Sequence, residues 1–200
     1  MKARRFEIHH EETGQTMVSD ASLLRQLQAG DDASFEALFL RHYDRLYHIL
    51  YRLLGNQADA EDVAQQVFLK LYHSPRRIRS QGDQVNVGGW LYRVAVNTGY
   101  NILRSQRRRR GWYARLGPQD TPSADPSHLA ESAELQARVR QILAEMKPRD
   151  AKLLLLRHSG LSYKELAAAL NLSPSSIGSL LTRAERAFAR RYRLAYPEKE

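Results

Sequence analysis

Apolar residues in this chain recur at spacings of three and four almost from end to end, and no run alternates as a half-buried strand requires. A chain with that single period is confined to packed helices. Phe35, Leu38, Phe39, Leu46, Ile49, Leu50 and Leu53 mark one long helix, opened by Asp31 or Asp32 and stopped by Gly55. A short helix over 22–29, closed by Gly30, precedes it. Asn56 caps the next helix, where Val63, Ala64, Val67, Phe68, Leu71 and Tyr72 form an apolar stripe. Residues 74–89 hold Pro75, Gly82, Gly88 and Gly89 and read as irregular, with a further helix beginning near Trp90.

The pattern fails over 111–127, where Pro118, Pro122 and Pro126 stand among Gly, Asp, Ser and Thr. Unstructured loops of that length are uncommon inside compact domains, so the stretch reads as a flexible linker. The expected fold is all-α: a helical domain over 20–112, a linker over 113–130 and a smaller helical domain over 131–195. Polar tails cover 1–19 and 196–200. In the second domain Leu135, Val139, Ile142, Leu143 and Met146 line one face, and Pro148 opens a helix that ends at Gly160. Ser162 and Glu165 form a capping box, while Ser173 and Pro174 suit an N-cap and the first helical position.

The chain has no cysteine, which removes disulfides, a thiol nucleophile and Cys-ligated metals. The polar start lacks the apolar core of a signal peptide, and no apolar run approaches the ~20 residues that cross a bilayer. A soluble, cytoplasmic protein is expected. Residues 1–103 carry 12 basic and 12 acidic side chains, whereas 104–200 carry 19 and 10. A localised cationic excess points to a polyanion, with a merely solvated basic surface as the plain alternative. No basic amphipathic helix with bulky apolar anchors accompanies it, so membrane insertion is not expected.

Two short helices separated only by Leu170, Asn171 and Leu172 read as a helix-turn-helix, against the alternative of a hairpin that merely packs. Ala167 is small where the helices cross, and Asn171 tolerates a left-handed backbone. The outer face of the second helix offers Ser173, Ser175, Ser176, Ser179 and Thr182, then Arg183, Arg186 and Arg190, with Gly178 bare. Base discrimination usually rests on Arg, Lys, Asn or Gln, so this face predicts phosphate contact with modest sequence readout.

In the first domain Arg104, Arg107, Arg108, Arg109 and Arg110 follow closely on Trp90, Tyr92, Asn97, Tyr100 and Asn101. Aromatics stack on unpaired bases, Asn offers donor and acceptor together, and Arg neutralises phosphate. The same residues also read as core aromatics followed by a solvated charge run. Asp59, Asp62, Gln65 and Gln66 form a polar face opposite an apolar stripe. Carboxylates so placed can hold a metal for nuclease chemistry. Here no His stands three or four residues away and no nucleophile is evident, so a protein-docking face is expected, with no metal, no cofactor and no enzymatic activity.

Together, Asp59-Ala60-Glu61-Asp62-Val63-Ala64-Gln65-Gln66-Val67-Phe68, then Trp90-Leu91-Tyr92-Arg93-Val94-Ala95-Val96-Asn97, then Gly160-Leu161-Ser162-Tyr163-Lys164-Glu165-Leu166-Ala167 resemble the extracytoplasmic-function (ECF) class of bacterial RNA polymerase sigma factors. The resemblance spans about 22–192. It implies a region 2 bundle and a region 4 helix-turn-helix, and a promoter-specificity subunit of core RNA polymerase that acts at −10 and −35 promoter DNA. Asp62, Gln65 and Gln66 match positions that dock on the polymerase. Asn97 matches a base-contacting position at the −10 element, and Trp90 and Arg93 lie beside the melted strand. Arg104 and Arg107 hold its backbone, with Asn101 and Arg108 on the same surface. The loop over 81–89 corresponds to one that captures a flipped base, whose extrusion costs a few kcal/mol. Ser173, Ser175, Ser176, Ser179, Thr182, Arg183 and Arg186 fall on the −35 surface. An anti-sigma factor is the further partner the resemblance implies.

The chain departs from the family pattern at Gln66, where Glu is usual, at Tyr72, where Trp is usual, and at Gly178 and Leu180, which replace a commonly basic pair. The −35 preference therefore does not transfer. The rival reading is a stand-alone helix-turn-helix regulator that binds duplex DNA as a dimer without polymerase; it leaves the arginine-rich helix and the polar docking face without a role.

Overall fold

The computed structural model describes residues 18–78, 86–113 and 128–197, and among them every regular element is helical. The chain runs α1 (Asp20–Gln28), α2 (Asp32–Leu54), α3 (Gln57–His73), α4 (Val87–Tyr113), α5 (His128–Glu145), α6 (Pro148–His158), α7 (Tyr163–Leu170) and α8 (Ile177–Ala195), with 3₁₀ turns at Pro75–Arg77 and Pro174–Ser176. The expected linker lies mostly outside the described residues, between Tyr113, which closes α4, and His128, which opens α5.

Local chemistry sets the joints. Asp31 accepts from the Ala33 amide to start α2, and Asn56 accepts from the Asp59 amide at 2.9 Å to start α3. Between those helices Gly55 is left-handed (φ 70°, ψ 15°), and a Cβ there would meet the Arg140 guanidinium of α5 at 2.3 Å. The backbone is what favours glycine at that joint, since the guanidinium is the far end of a flexible side chain and can shift.

The first core forms where α2, α3 and α4 meet. Leu38, Leu46, Ile49, Leu50 and Leu53 from α2 face Ala60, Val63, Ala64, Val67, Phe68 and Leu71 from α3 and Leu91, Ala95, Val96 and Tyr100 from α4, all buried. Each such large side chain contributes roughly 1.5–3 kcal/mol by leaving water. At the α2–α4 crossing a Cβ on Gly99 would lie 2.8 Å from Leu53, so the missing side chain sets how closely the helices approach. Tyr72 departs from the expected stripe: it is 39% exposed, with its ring edge against Phe35.

The irregular stretch ends earlier than expected. Gly88 and Gly89 sit in the first turn of α4, because Asn86 caps it, accepting from the Gly89 amide through its side chain and from the Trp90 amide through its carbonyl. Capping outweighs the low helix propensity of glycine at this end. Residues 81–85 of the expected base-capture loop lie outside the described residues.

α1 is tied down by a polar group the sequence did not signal. His42, 9% exposed, places Nε2 2.7 Å from the Asp20 carboxylate and Nδ1 3.3 Å from the Tyr92 hydroxyl, while Arg41 donates to the same carboxylate. Burial pushes the Asp20 carboxyl up, but the hydrogen bonds and charges of His42 and Arg41 outweigh it and hold the pKa below the usual carboxylate value. A depressed carboxyl contributes stability that is present above its unfolded pKa and lost as pH falls through the folded one. Asp20→Asn is expected to cost about 1–2 kcal/mol at neutral pH, and less once the wild-type carboxyl is protonated. Urea melts of both proteins at pH 7 and near pH 3 check this; a gap that stays constant or widens in acid contradicts it.

In the second module Ile142 and Leu143 from α5, and Met146 just after it, pack with Leu153 and Leu156 from α6, Leu166 and Ala169 from α7, and Ile177, Leu181 and Ala184 from α8. Leu135 leaves the expected face and is 52% exposed, at the mouth of an apolar groove of about 660 Å³ between α2, α5, α6 and α8. The capping box of α7 is complete: Ser162 accepts from the Glu165 amide, and Glu165 accepts from the Ser162 amide at 2.7 Å. Asn171 is left-handed (φ 55°, ψ 51°), and Ala167 is buried at the helix crossing.

The two modules touch. The buried Tyr100 hydroxyl donates to Met146 O, just beyond the end of α5, at 2.9 Å, with Leu143 O, which also accepts from the Met146 amide, at 3.3 Å. Arg45 donates to Glu165 at 2.9 Å and to Gly160 O at 2.8 Å, and Arg52 donates to His158 O.

Candidate nucleic-acid interface

α4 gathers the residues expected at the −10 element. At 100° per residue Trp90, Arg93, Asn97, Asn101, Arg104 and Arg108 fall within an arc of about 80°. Trp90 and Arg93 are half-buried, and Asn97, Asn101, Arg104, Arg107 and Arg108 are exposed. Tyr92 and Tyr100, from the same aromatic group, turn inward as core. The surface is therefore an indole and amides leading into a cationic stretch, a combination suited to a single strand, with stacking, edge contacts and phosphate contacts in sequence.

Two of these residues are engaged by the second module. Lys152 of α6 donates to Asn97 Oδ1 at 2.5 Å and lies over the Tyr100 ring, 5.5 Å from its centroid. Arg107 donates to Glu145 of α5 at 3.1 Å. Burial pushes the Lys152 ammonium pKa down.

On α3, Asp62, Gln65 and Gln66 are all exposed and share one side of the helix. Asp59 is separated from them, accepting from Gln106 of α4 at 3.2 Å. Beside this face runs a ladder that the sequence reading missed. Phe39, Tyr43, Tyr47 and Tyr51 of α2 stack in succession with ring centroids 4.7, 6.1 and 6.1 Å apart. Their strict spacing of four was the available signal.

The surface expected at the −35 element is less regular than a single helix. Ser173, Ser175 and Ser176 lie at or within the 3₁₀ turn, and α8 begins only at Ile177. Ser173 does not cap through its side chain; its hydroxyl meets that of Ser175 at 2.8 Å. Ser176, Ser179 and Thr182 donate to the carbonyls of Ser173, Ser176 and Gly178 in their own turns. These hydroxyl protons are spent on the backbone, which weakens them further as base readers. Arg183 and Arg186 are exposed beyond them. Among the described residues no three His, Cys, Asp or Glu side chains gather as a metal site, and no helix is long and apolar enough to cross a membrane.

Comparison with known proteins matches two family descriptions in order: Sigma-70 region 2 over residues 38–109, and Sigma-70 region 4 over 136–188. The ECF RNA polymerase sigma-E factor of Escherichia coli (strain K12) is 30% identical over 181 residues, covering 85% of this chain and 92% of that protein. The RNA polymerase sigma-H factor of Pseudomonas aeruginosa is 28% identical over 184 residues, covering 86% and 93%. The ECF RNA polymerase sigma factor SigE of Mycolicibacterium smegmatis is 31% identical over 163 residues, 77% of this chain but 61% of that longer protein. Among solved structures, CnrH in complex with the cytosolic domain of CnrY has the same fold, with a TM-score of 0.59 at 21% identity, covering 86% of this chain and 96% of CnrH. Two sigma regions in family order and a relative matched over nearly its whole length place this chain in the ECF sigma factors of the sigma-70 family.

Proposed function

We infer that this chain is the promoter-specificity subunit of a bacterial RNA polymerase, which binds the core enzyme and directs initiation at −10 and −35 elements. The observation that carries the reading is the union, in one chain, of an exposed polar docking helix, a stacking and cationic helix face, and a helix-turn-helix. A simple repressor needs only the last of these. In this reading α3 presents Asp62, Gln65 and Gln66 to the polymerase. α4 reads and holds the melted −10 strand through Asn97, Trp90 and Arg93, with Asn101, Arg104, Arg107 and Arg108 along its backbone. The serine-rich turn and α8 approach the −35 duplex with Arg183 and Arg186 on phosphate.

The first module is the discriminating one, since its amide and aromatic side chains meet unpaired bases while the second offers hydroxyls already bonded at home. No chemistry falls to the chain itself: bond formation belongs to the polymerase. The working compartment is the cytoplasm, where core enzyme and promoter are found, and an anti-sigma factor is the expected regulator.

Run-off transcription with sigma-free core polymerase, pooled genomic fragments and this purified chain tests the reading. Discrete new transcripts that need both core and chain are expected. Tight binding to duplex fragments without core, and no transcript with it, would instead make the chain a stand-alone regulator.

A further inference from the structure

Both tryptophans of the chain, Trp90 and Trp112, stand on α4. Trp90 belongs to the surface assigned above to the −10 strand. Trp112 has no part in that assignment and lies beyond residue 109, where the match to Sigma-70 region 2 ends. The helical period joins the two. At 100° per residue Trp112 falls about 40° from Trp90 and Arg108, so it continues the row of Asn97, Asn101, Arg104 and Arg108 by one more turn. The buried side of α4, formed by Ala95, Val96 and Leu103, points the other way.

Trp112 is 59% exposed. Its neighbours on this face, one and two turns back, are Arg109, Arg108, Ser105 and Arg104, and the three arginines are exposed. A side chain destined for a protein partner usually belongs to a contiguous apolar patch, and none of these four extends one. A lone aromatic ring set among cations suits a different ligand. Every nucleobase has a face on which to stack, and every nucleotide brings a phosphate for a neighbouring guanidinium.

We propose that Trp112 is a second stacking platform for unpaired DNA, so that the strand surface of α4 runs from Trp90 through the arginines to Trp112. This rests on the promoter-specificity reading above and deepens it. The two indoles lie about 33 Å apart along the axis, at 1.5 Å per residue. At the stacked spacing of 3.4 Å within one strand that is about 10 nucleotides, and fewer where bases are pulled apart. Stacking reads no base edge, so Trp112 adds affinity and holds the strand while Asn97 keeps the discrimination.

The test uses the full-length chain and a dye-labelled oligodeoxythymidine of about 12 nucleotides, long enough to touch both indoles. By fluorescence anisotropy at low salt, Trp112→Ala is expected to bind about 10-fold more weakly than wild type, and Trp112→Phe, which keeps a ring, to bind close to it. The same loss is expected with a random-sequence strand pool. Salt separates stacking from charge: Trp112→Ala keeps the wild-type slope of log affinity against log salt, whereas Arg108→Gln flattens it by about 0.7. A second readout does not depend on the alanine variant folding. Trp90→Phe leaves Trp112 as the one indole of the chain, and its emission is expected to be quenched at saturating strand.

Binding by Trp112→Ala within about twofold of wild type overturns the proposal. So does an unquenched Trp112 at saturating strand, or a wild type that shows no saturable binding at low salt. Core-dependent transcription by the wild type is scored alongside. Transcripts with an unchanged Trp112→Ala affinity leave the sigma reading standing and remove the platform. A ring-dependent loss of binding without transcripts keeps the platform and removes its promoter role.

Discussion

Core-dependent transcripts are expected to fall by about 100-fold when Asp62 and Gln65 are both replaced by alanine. An interface side chain that matters costs about 1–2 kcal/mol on truncation, so the pair together is worth about 2.8 kcal/mol, and every 1.4 kcal/mol is tenfold in affinity. Both residues are exposed on α3, and neither is held by a partner among the described residues. Their removal therefore takes nothing from the core of α2, α3 and α4, and the melting temperature should stay within the small range of surface substitutions. That separation makes the experiment decisive: binding of labelled chain to core enzyme is measured beside circular-dichroism melting. Unchanged core binding with both side chains gone would move the docking surface elsewhere, and the stacked ladder of Tyr43, Tyr47 and Tyr51 would be the place to look.

Asn97→Ala should damage promoter selection far more than Ser179→Ala. An amide that pairs twice with a base edge supplies about 1–3 kcal/mol of discrimination, or roughly 10- to 100-fold. Asn97 is exposed on α4, flanked along one face by Arg93 and Asn101. Ser179 already donates to the Ser176 carbonyl at 3.0 Å within its own turn, so deleting its hydroxyl removes little that DNA can use. Transcription from the best promoter found by run-off, compared with the same promoter altered at its −10 or −35 element, measures the two effects. The expected result is a loss of −10 discrimination of at least tenfold for Asn97→Ala and a change within about threefold for Ser179→Ala. Equal promoter-specific losses would refute the ranking.

Much of this architecture could be read before any coordinates. The joints at Gly55 and Asn56, the capping box of Ser162 and Glu165, and the left-handed Asn171 are local devices, and each is decided by a few neighbouring residues. The same holds for the arc of Trp90, Asn97 and Asn101 on α4, since helical period alone puts those side chains on one face. Where local signals competed, the reading failed. Gly88 and Gly89 looked like loop, but the Asn86 cap carried them into a helix. Ser173 looked like a side-chain cap, but its hydroxyl turned to Ser175. Leu135 matched the apolar period of α5 yet lies at its exposed end, beside an open groove.

What stayed hidden depends on residues far apart in sequence. Asp20, His42 and Tyr92 meet across three helices, and nothing in their individual neighbourhoods marks them as partners. Tyr100 and Lys152 each look ordinary alone. Only the docking of α5 and α6 against α4 turns Tyr100 into an anchor and sets an ammonium on Asn97. By itself the sequence determined the helices, their caps, the order of the modules and the faces that carry amide, aromatic and cationic groups, because period and capping act over one or two turns. The tertiary structure alone decided that the second module reaches one edge of α4, through Lys152 on Asn97 and Glu145 on Arg107, because that depends on how whole surfaces fit.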